Sequence, residues 1–204
     1  MRIERLLFVR HGESEHHVKG LTGGSTDLPL TPRGRRQAVA AAARLATLLD
    51  GEPATLFSSD LVRAAETAAI VARSLHVDVE AAPGLRELDN GAAAGLTSAE
   101  ALRIETPLTA PVLDWVPYPR AESWRVMATR VRACLHGLDP RTPIAVIVGH
   151  QGSGCEVLKG WLGIDVEFLL EIMLAPCSVS ELRRTTYGEP CIVRINDTAH
   201  LKGI

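Results

Sequence analysis

The stretch "RLLFVRHGES" (residues 5–14) decides how the chain is read. Leu6 to Val9 form an unbroken apolar run, the pattern of a strand buried on both faces. The run passes without a turn residue into Arg10, His11 and Gly12. In a parallel sheet such a strand end lies at the edge where ligands bind. The question is what a cation, an imidazole and a glycine would do there.

Further along, helical and strand-like segments alternate. Thr31 reads as an N-cap and Pro32 as a first helical position, with an Ala/Leu-rich body that stops at Gly51. "ATLFSSD" (54–60) is a second strand and residues 63–75 a second helix. "PIAVIVGH" (143–150) is the clearest buried strand, followed by a helix over 154–163. "SVSELRRT" (178–185) and "CIVRIND" (191–197) form a closing pair of strands. The alternation predicts an α/β fold, with helices on both faces of a mostly parallel sheet.

One region breaks the rhythm. "TPLTAPVLDWVPYPRAESW" (106–124) holds four prolines and two tryptophans. It predicts a small irregular insertion, cap-like, spanning about residues 88–140 of a single domain that runs 1–204.

The bulk numbers narrow the class. With 204 residues the chain can bury a sizeable core, and 46% hydrophobic with 23% charged residues is ordinary for a globular protein. A net charge of −2 gives no reason to expect nucleic acid or an anionic membrane as partner. The N-terminus lacks the pattern of a secretory leader, and no run is long enough to span a bilayer. Cys134, Cys155, Cys177 and Cys191 are scattered without a CxxC pair, which fits free thiols and a cytoplasmic location.

Polar residues at the predicted strand ends are the candidate site. Arg10, His11, Gly12 and Ser14 follow the first strand. Ser58, Ser59 and Asp60 follow the second, with Arg63 at the next helix start. Gly149, His150 and Gln151 follow the strand at 143–150. Two arginines and two histidines thus gather at one edge of a mildly acidic protein. Forked guanidinium donors match phosphate oxygens, and imidazole offers a nucleophilic nitrogen. That combination suits a phosphoryl group held by His11 and Arg10, with Glu87 of "LRELDNG" (85–91) as candidate acid. Asp89 and Glu122 are alternatives to Glu87.

"RHGES" (10–14), "TDLPLTPRGRRQA" (26–38), "SSDLVRAAETA" (58–68), "LRELDNG" and "VIVGHQG" (146–152), in that order, resemble the histidine phosphatase superfamily, the phosphoglycerate-mutase-like phosphatases. The resemblance implies a three-layer α/β/α sandwich that works without metal or organic cofactor. It implies that His11 is the phosphorylated nucleophile and Glu87 the general acid. Arg10, Arg63 and His150 would surround the phosphate, with Ser14 nearby. The chain departs from the family pattern at several places. His17 stands where Asn is common, Leu21 where Arg is common, Gln151 replaces a glycine, and "GAAAGLT" (91–97) lacks an aromatic and an acid. His17 and Gln151 are therefore open candidates for phosphate contact. His16, beside His17, reads as an exposed histidine.

The expected partner is a small-molecule phosphomonoester, with a homodimer left open. Specificity is expected to come from the insertion, through Trp115, Tyr118, Arg120, Glu122 and Arg125. A mutase of the same fold is the alternative, but "LDNGAAAG" (88–95) lacks the "RHYG" that cofactor-dependent mutases usually carry after the acid. A non-catalytic binding module is a further alternative; such modules usually lose the nucleophile or an arginine, and this chain keeps both.

Overall fold

The computed structural model describes residues 3–204. Met1 and Arg2, at the start of the stretch read above for a leader, lie outside the described residues. A single six-stranded sheet runs through the molecule in the order β3-β2-β4-β1-β5-β6. Its strands are β1 (Arg5–Arg10), β2 (Thr55–Ser58), β3 (Val79–Ala81), β4 (Ile144–Gly149), β5 (Val179–Arg184) and β6 (Pro190–Asp197). Three pairings are parallel, and the two involving β5 are antiparallel. The sheet is thus mostly parallel with an antiparallel closing edge.

Alternation along β1 sorts the helices into two layers. Leu7 and Val9 face α2 (Pro32–Leu49) and α3 (Val62–Leu75), packing on Ala38, Ala41, Leu45, Ala64 and Ala68. Leu6 and Phe8 face the other way, toward Met127, Val131 and Leu135 of α5 (Trp124–Gly137) and Val157, Leu158 and Trp161 of α6 (Gln151–Leu162). Side chains of period two on a central strand require cover on both faces, and this produces the α/β/α sandwich.

Helix α5 corrects the extent of the insertion. It lies within the 88–140 span expected to be cap-like, yet it is part of a covering layer. Ser123 caps it by accepting the Val126 N–H, and Met127, Val131 and Leu135 recur every fourth residue on its buried side. The irregular part therefore ends at Ser123. Inside it lie a short helix, α4 (Ser98–Arg103), and two 3-10 turns at Gly91–Ala93 and Val112–Asp114. The Thr97–Glu100 capping box at the start of α4 was readable in sequence.

The start of α2 follows its sequence signal. Thr31 Oγ1 accepts the Gly34 N–H at 2.9 Å, and Pro32 occupies the first turn. The loop after β1 lies directly on this helix start. A Cβ at Gly34 would sit 1.9 Å from the Glu13 carbonyl oxygen, and one at Gly12 would sit 2.5 Å from the Gly34 carbonyl oxygen. Backbone meets backbone at both places, so neither clash can be relieved by a rotamer change. Gly34→Ala is expected to cost about 3 kcal/mol or more of stability, measured by urea unfolding. A loss below about 1 kcal/mol would mean that the β1 loop and α2 do not pack as described.

Candidate active site

The site forms at the carboxyl ends of β1, β2 and β4. His11, the residue after β1, is buried. Its Nδ1 lies 2.7 Å from the Gly12 carbonyl oxygen, an acceptor, so this nitrogen carries the proton. The lone pair is therefore on Nε2, which receives the Arg63 Nε–H at 3.2 Å. Burial, together with His150, Arg63 and Arg10, holds the imidazole well below its ordinary pKa and keeps it neutral.

Arg63 is buried in the first turn of α3. It donates to the carbonyls of Gly24 and Thr26, both at 2.7 Å, so the guanidinium cannot swing away. Burial brings its pKa down to about 10. Arg10 donates to the Leu174 carbonyl at 2.6 Å, while its Nε is buried without a partner. Neither arginine makes an ion pair among the described residues. Two desolvated guanidiniums without a paired carboxylate make a concentrated positive field, and such fields bind anions.

His150 caps α6 and brings its ring within 5.1 Å of the His11 ring. Ser59 at the end of β2 bonds its Nε2 at 2.8 Å, while Nδ1 is buried without a partner. His17 comes from the short helix α1 (Glu15–Lys19), and its ring stacks beside that of His11 at 5.8 Å. Its Nδ1 accepts the Ser14 N–H at 3.1 Å, which puts the proton of the neutral ring on Nε2. That Nε2–H lies 3.2 Å from Nη2 of Arg10. Two donors thus confront each other without an acceptor, a contact that an anionic oxygen between them would relieve. Burial, then Arg10 and Arg63, lowers the His17 pKa to about 4.

Three expectations from sequence change here. His16 is buried, not exposed, with its Nδ1 2.7 Å from Ser14 Oγ and its ring 6.1 Å from that of His11. Ser14 therefore orients an imidazole of the cluster. The Gln151 side chain does not face the histidines. Its Nε2 donates to the Ile172 carbonyl and its Oε1 accepts the Leu174 N–H, which pins the loop after α6. The helix begins at Gln151 and not at residue 154. The glycines that open it hide the helical pattern, but the first-turn N–H groups they expose are part of the site.

Glu87 uses those groups. Gly152 N–H donates to Oε2 at 2.8 Å, and Ser153 N–H to Oε1 at 3.2 Å. Oε1 also accepts the Leu88 N–H at 2.9 Å. The positive end of α6 thus holds the carboxylate beside His150. Asp89 accepts from Ser25 and Gly91, and Glu122 from Arg130 and the Asp89 N–H, so both alternatives serve the loop scaffold.

The residues proposed for specificity are also largely occupied with the insertion. Trp115 donates its indole N–H to Thr106. Arg125 pairs with Asp114 and with Glu167. Tyr118 is half-buried, its phenol pKa raised by burial. Arg120 is exposed, in the left-handed region at φ 64°. The aromatic that reaches the site is Trp124. A Cβ on Gly152 would lie 2.6 Å from Glu87 Oε1 and 3.2 Å from Trp124 Cζ3, so carboxylate and indole flank one Cα. Nothing in the residue pattern distinguishes Trp124 from Trp115.

No helix among the described residues is long and apolar enough to cross a membrane. A cavity of about 760 Å³, lined by Thr55, Arg73, His76 and Arg141 among others, opens near the start of β2, and none of His11, His16, His17 or His150 lines it.

Comparison with known proteins agrees with this geometry. The family model of the histidine phosphatase superfamily (branch 1) matches residues 6–198. A probable phosphoglycerate mutase, GpmB, of Proteus mirabilis is 32% identical over 184 residues, 87% of this chain and 84% of the relative. The mycobacterial glucosyl-3-phosphoglycerate phosphatase superposes with a TM-score of 0.76 at 26% identity, covering 96% of this chain and 100% of the other. The α-ribazole phosphatase of Shigella flexneri shares the fold, with a TM-score of 0.78 over 95% of this chain and 96% of its own at 24% identity. The sheet, the strand-end histidines and the family match lead to one assignment: the chain belongs to the histidine phosphatase superfamily.

Proposed function

We propose that the protein hydrolyses a small-molecule phosphomonoester through a phosphohistidine on His11. The observation that carries this reading is the neutral, buried His11 whose Nε2 lone pair lies among two unpaired guanidiniums and two further imidazoles. Nε2 attacks phosphorus in line, the Nε2–P bond forms and the P–O bond to the alcohol breaks. Glu87 gives its proton to the departing oxygen. Its Oε2, with one N–H donor against two on Oε1, is the oxygen with room for that proton. Water then attacks the phosphoryl group, returns a proton to Glu87, and releases phosphate and neutral His11. Arg10, Arg63, His150 and His17 neutralise the phosphoryl oxygens throughout.

A mutase has to hold a second acidic group beside the acid. The segment that follows Glu87, "LDNGAAAG" (88–95), carries no cation to hold such a group, which favours hydrolysis. The test is a screen of phosphomonoesters for phosphate release, coupled to acid-quench trapping of an acid-labile phosphoenzyme. Turnover without a phosphoenzyme on His11 would refute the mechanism.

The depressed His11 pKa also sets a pH dependence. The reactive form is unprotonated, so activity falls only as pH drops through the pKa of the folded protein. An unshifted histidine would be about three-quarters protonated at pH 6. Phosphoenzyme formation, corrected for substrate ionisation, is expected to change less than about twofold between pH 8 and pH 6. A fall of fourfold or more would show that His11 titrates normally.

A further inference from the structure

A second pocket, of about 300 Å³, opens over the start of α6 and includes Gly152, whose N–H holds Glu87. Its floor is α6, from Gln151 to Lys159. One wall is the turn at Val112 and Leu113 together with Trp124; the other is Leu169 and Leu170 of the loop after α6. Arg125 ties the walls together by pairing with Asp114 on one side and Glu167 on the other. Gln151 anchors the second wall through Ile172 and Leu174.

The surface of this pocket is apolar and uncompensated. Leu169 is 66% exposed, Val112 44% and Trp124 39%, so the walls present hydrocarbon to whatever enters. The single cation among the lining residues, Lys159, is buried and bonded to Glu156 at 2.8 Å. Arg132 holds the other oxygen of that carboxylate. Glu171 adds a negative charge to the lining. A carboxylate or second phosphate entering here would find no free positive partner.

Gly152 joins the pocket to the acid: it lines the pocket, its N–H donates to Glu87 Oε2, and a Cβ built on it would meet both Glu87 Oε1 and Trp124 Cζ3. An ester oxygen that takes a proton from Glu87 would have the indole and this pocket on its Gly152 side. A concave apolar site beside one convergent polar group is the usual form of a small-molecule pocket.

We propose that this pocket receives the leaving group of the substrate, and that the leaving group is uncharged and apolar: an aryl or branched-alkyl alcohol and not a hydroxy acid. The proposal rests on the phosphatase reading above and adds the substrate class. Trp124, Leu113 and Leu170 become specificity residues, in place of Trp115, Tyr118 and Arg120.

The test compares kcat/KM of the full-length protein for 2-naphthyl phosphate, phenyl phosphate and 3-phosphoglycerate. The naphthyl ester is expected to exceed the phenyl ester by about tenfold or more, with 3-phosphoglycerate the poorest. Trp124→Ala and, separately, Leu170→Ser should bring the naphthyl-to-phenyl ratio within about threefold. The two variants lie on different elements, and thermal unfolding checks that each is folded. Binding of 1-naphthylmethylphosphonate against methylphosphonate, by calorimetry, gives a readout independent of turnover. Tighter naphthyl binding that both variants lose supports the pocket even if no ester is hydrolysed, in which case the phosphatase reading alone fails. His11-dependent hydrolysis with naphthyl and phenyl esters equal, a ratio unchanged in both variants, or a preference for 3-phosphoglycerate would overturn the pocket and leave the phosphatase reading standing.

Discussion

His11→Ala is expected to abolish turnover, lowering kcat by about 10⁴-fold or more, and to leave the fold intact. The reaction proposed here has no other atom in its place. His150 has one ring nitrogen bonded to Ser59, and His17 has one accepting the Ser14 N–H and the other against Arg10. The stability change should be modest, about 1–3 kcal/mol, because the variant loses two hydrogen bonds, one to the Gly12 carbonyl and one from Arg63 Nε–H, and no packing in either core layer. Phosphate binding should survive, since Arg63 is held by Gly24 and Thr26 and not by His11 alone. Activity within tenfold of the unaltered protein, with no phosphoenzyme on another residue, would remove His11 from the mechanism.

Glu87→Gln should separate substrates by leaving group. The amide oxygen can still accept the Leu88 and Ser153 N–H groups, so the loop keeps its place. The amide nitrogen then faces the Gly152 N–H, donor against donor, at a local cost of about 1–3 kcal/mol. An alkyl ester leaves as a strongly basic alkoxide unless it is protonated, and its phosphoenzyme formation should slow by about 10²–10⁴-fold. p-Nitrophenyl phosphate releases a weakly basic phenolate and should phosphorylate His11 within about tenfold of the normal rate. Its second step still needs a base, so a burst of nitrophenolate followed by slow turnover is expected. Equal losses of phosphorylation rate for both esters would mean that Glu87 positions the substrate and transfers no proton.

The layers of the sandwich were legible because their signals are local. Four apolar residues in β1, a capped Ala-rich α2 and the run in β4 each satisfy a rule of period or termination. Helix α5 also carried such a signal in Ser123 and the Met127–Val131–Leu135 spacing, but its prolines and tryptophans upstream drew it into the insertion. Strand β3 is three residues long and mostly exposed, too short for a pattern to register.

Sequence alone determined which polar residues gather at the site. A residue that follows a buried parallel strand has its position set by the backbone, so His11, Arg10 and His150 reach one edge whatever the loops do. Tertiary structure decided the rest. Only the fold turns Gln151 to the loop at Ile172, buries His16 against Ser14, and puts Trp124 rather than Trp115 beside Glu87. The reason is physical. Residues 106–123 have no period to orient their side chains, and the contacts that orient this region join distant parts of the chain, as Arg125 does to Glu167, 42 residues on. Local pattern carries no information about such contacts until the chain has folded.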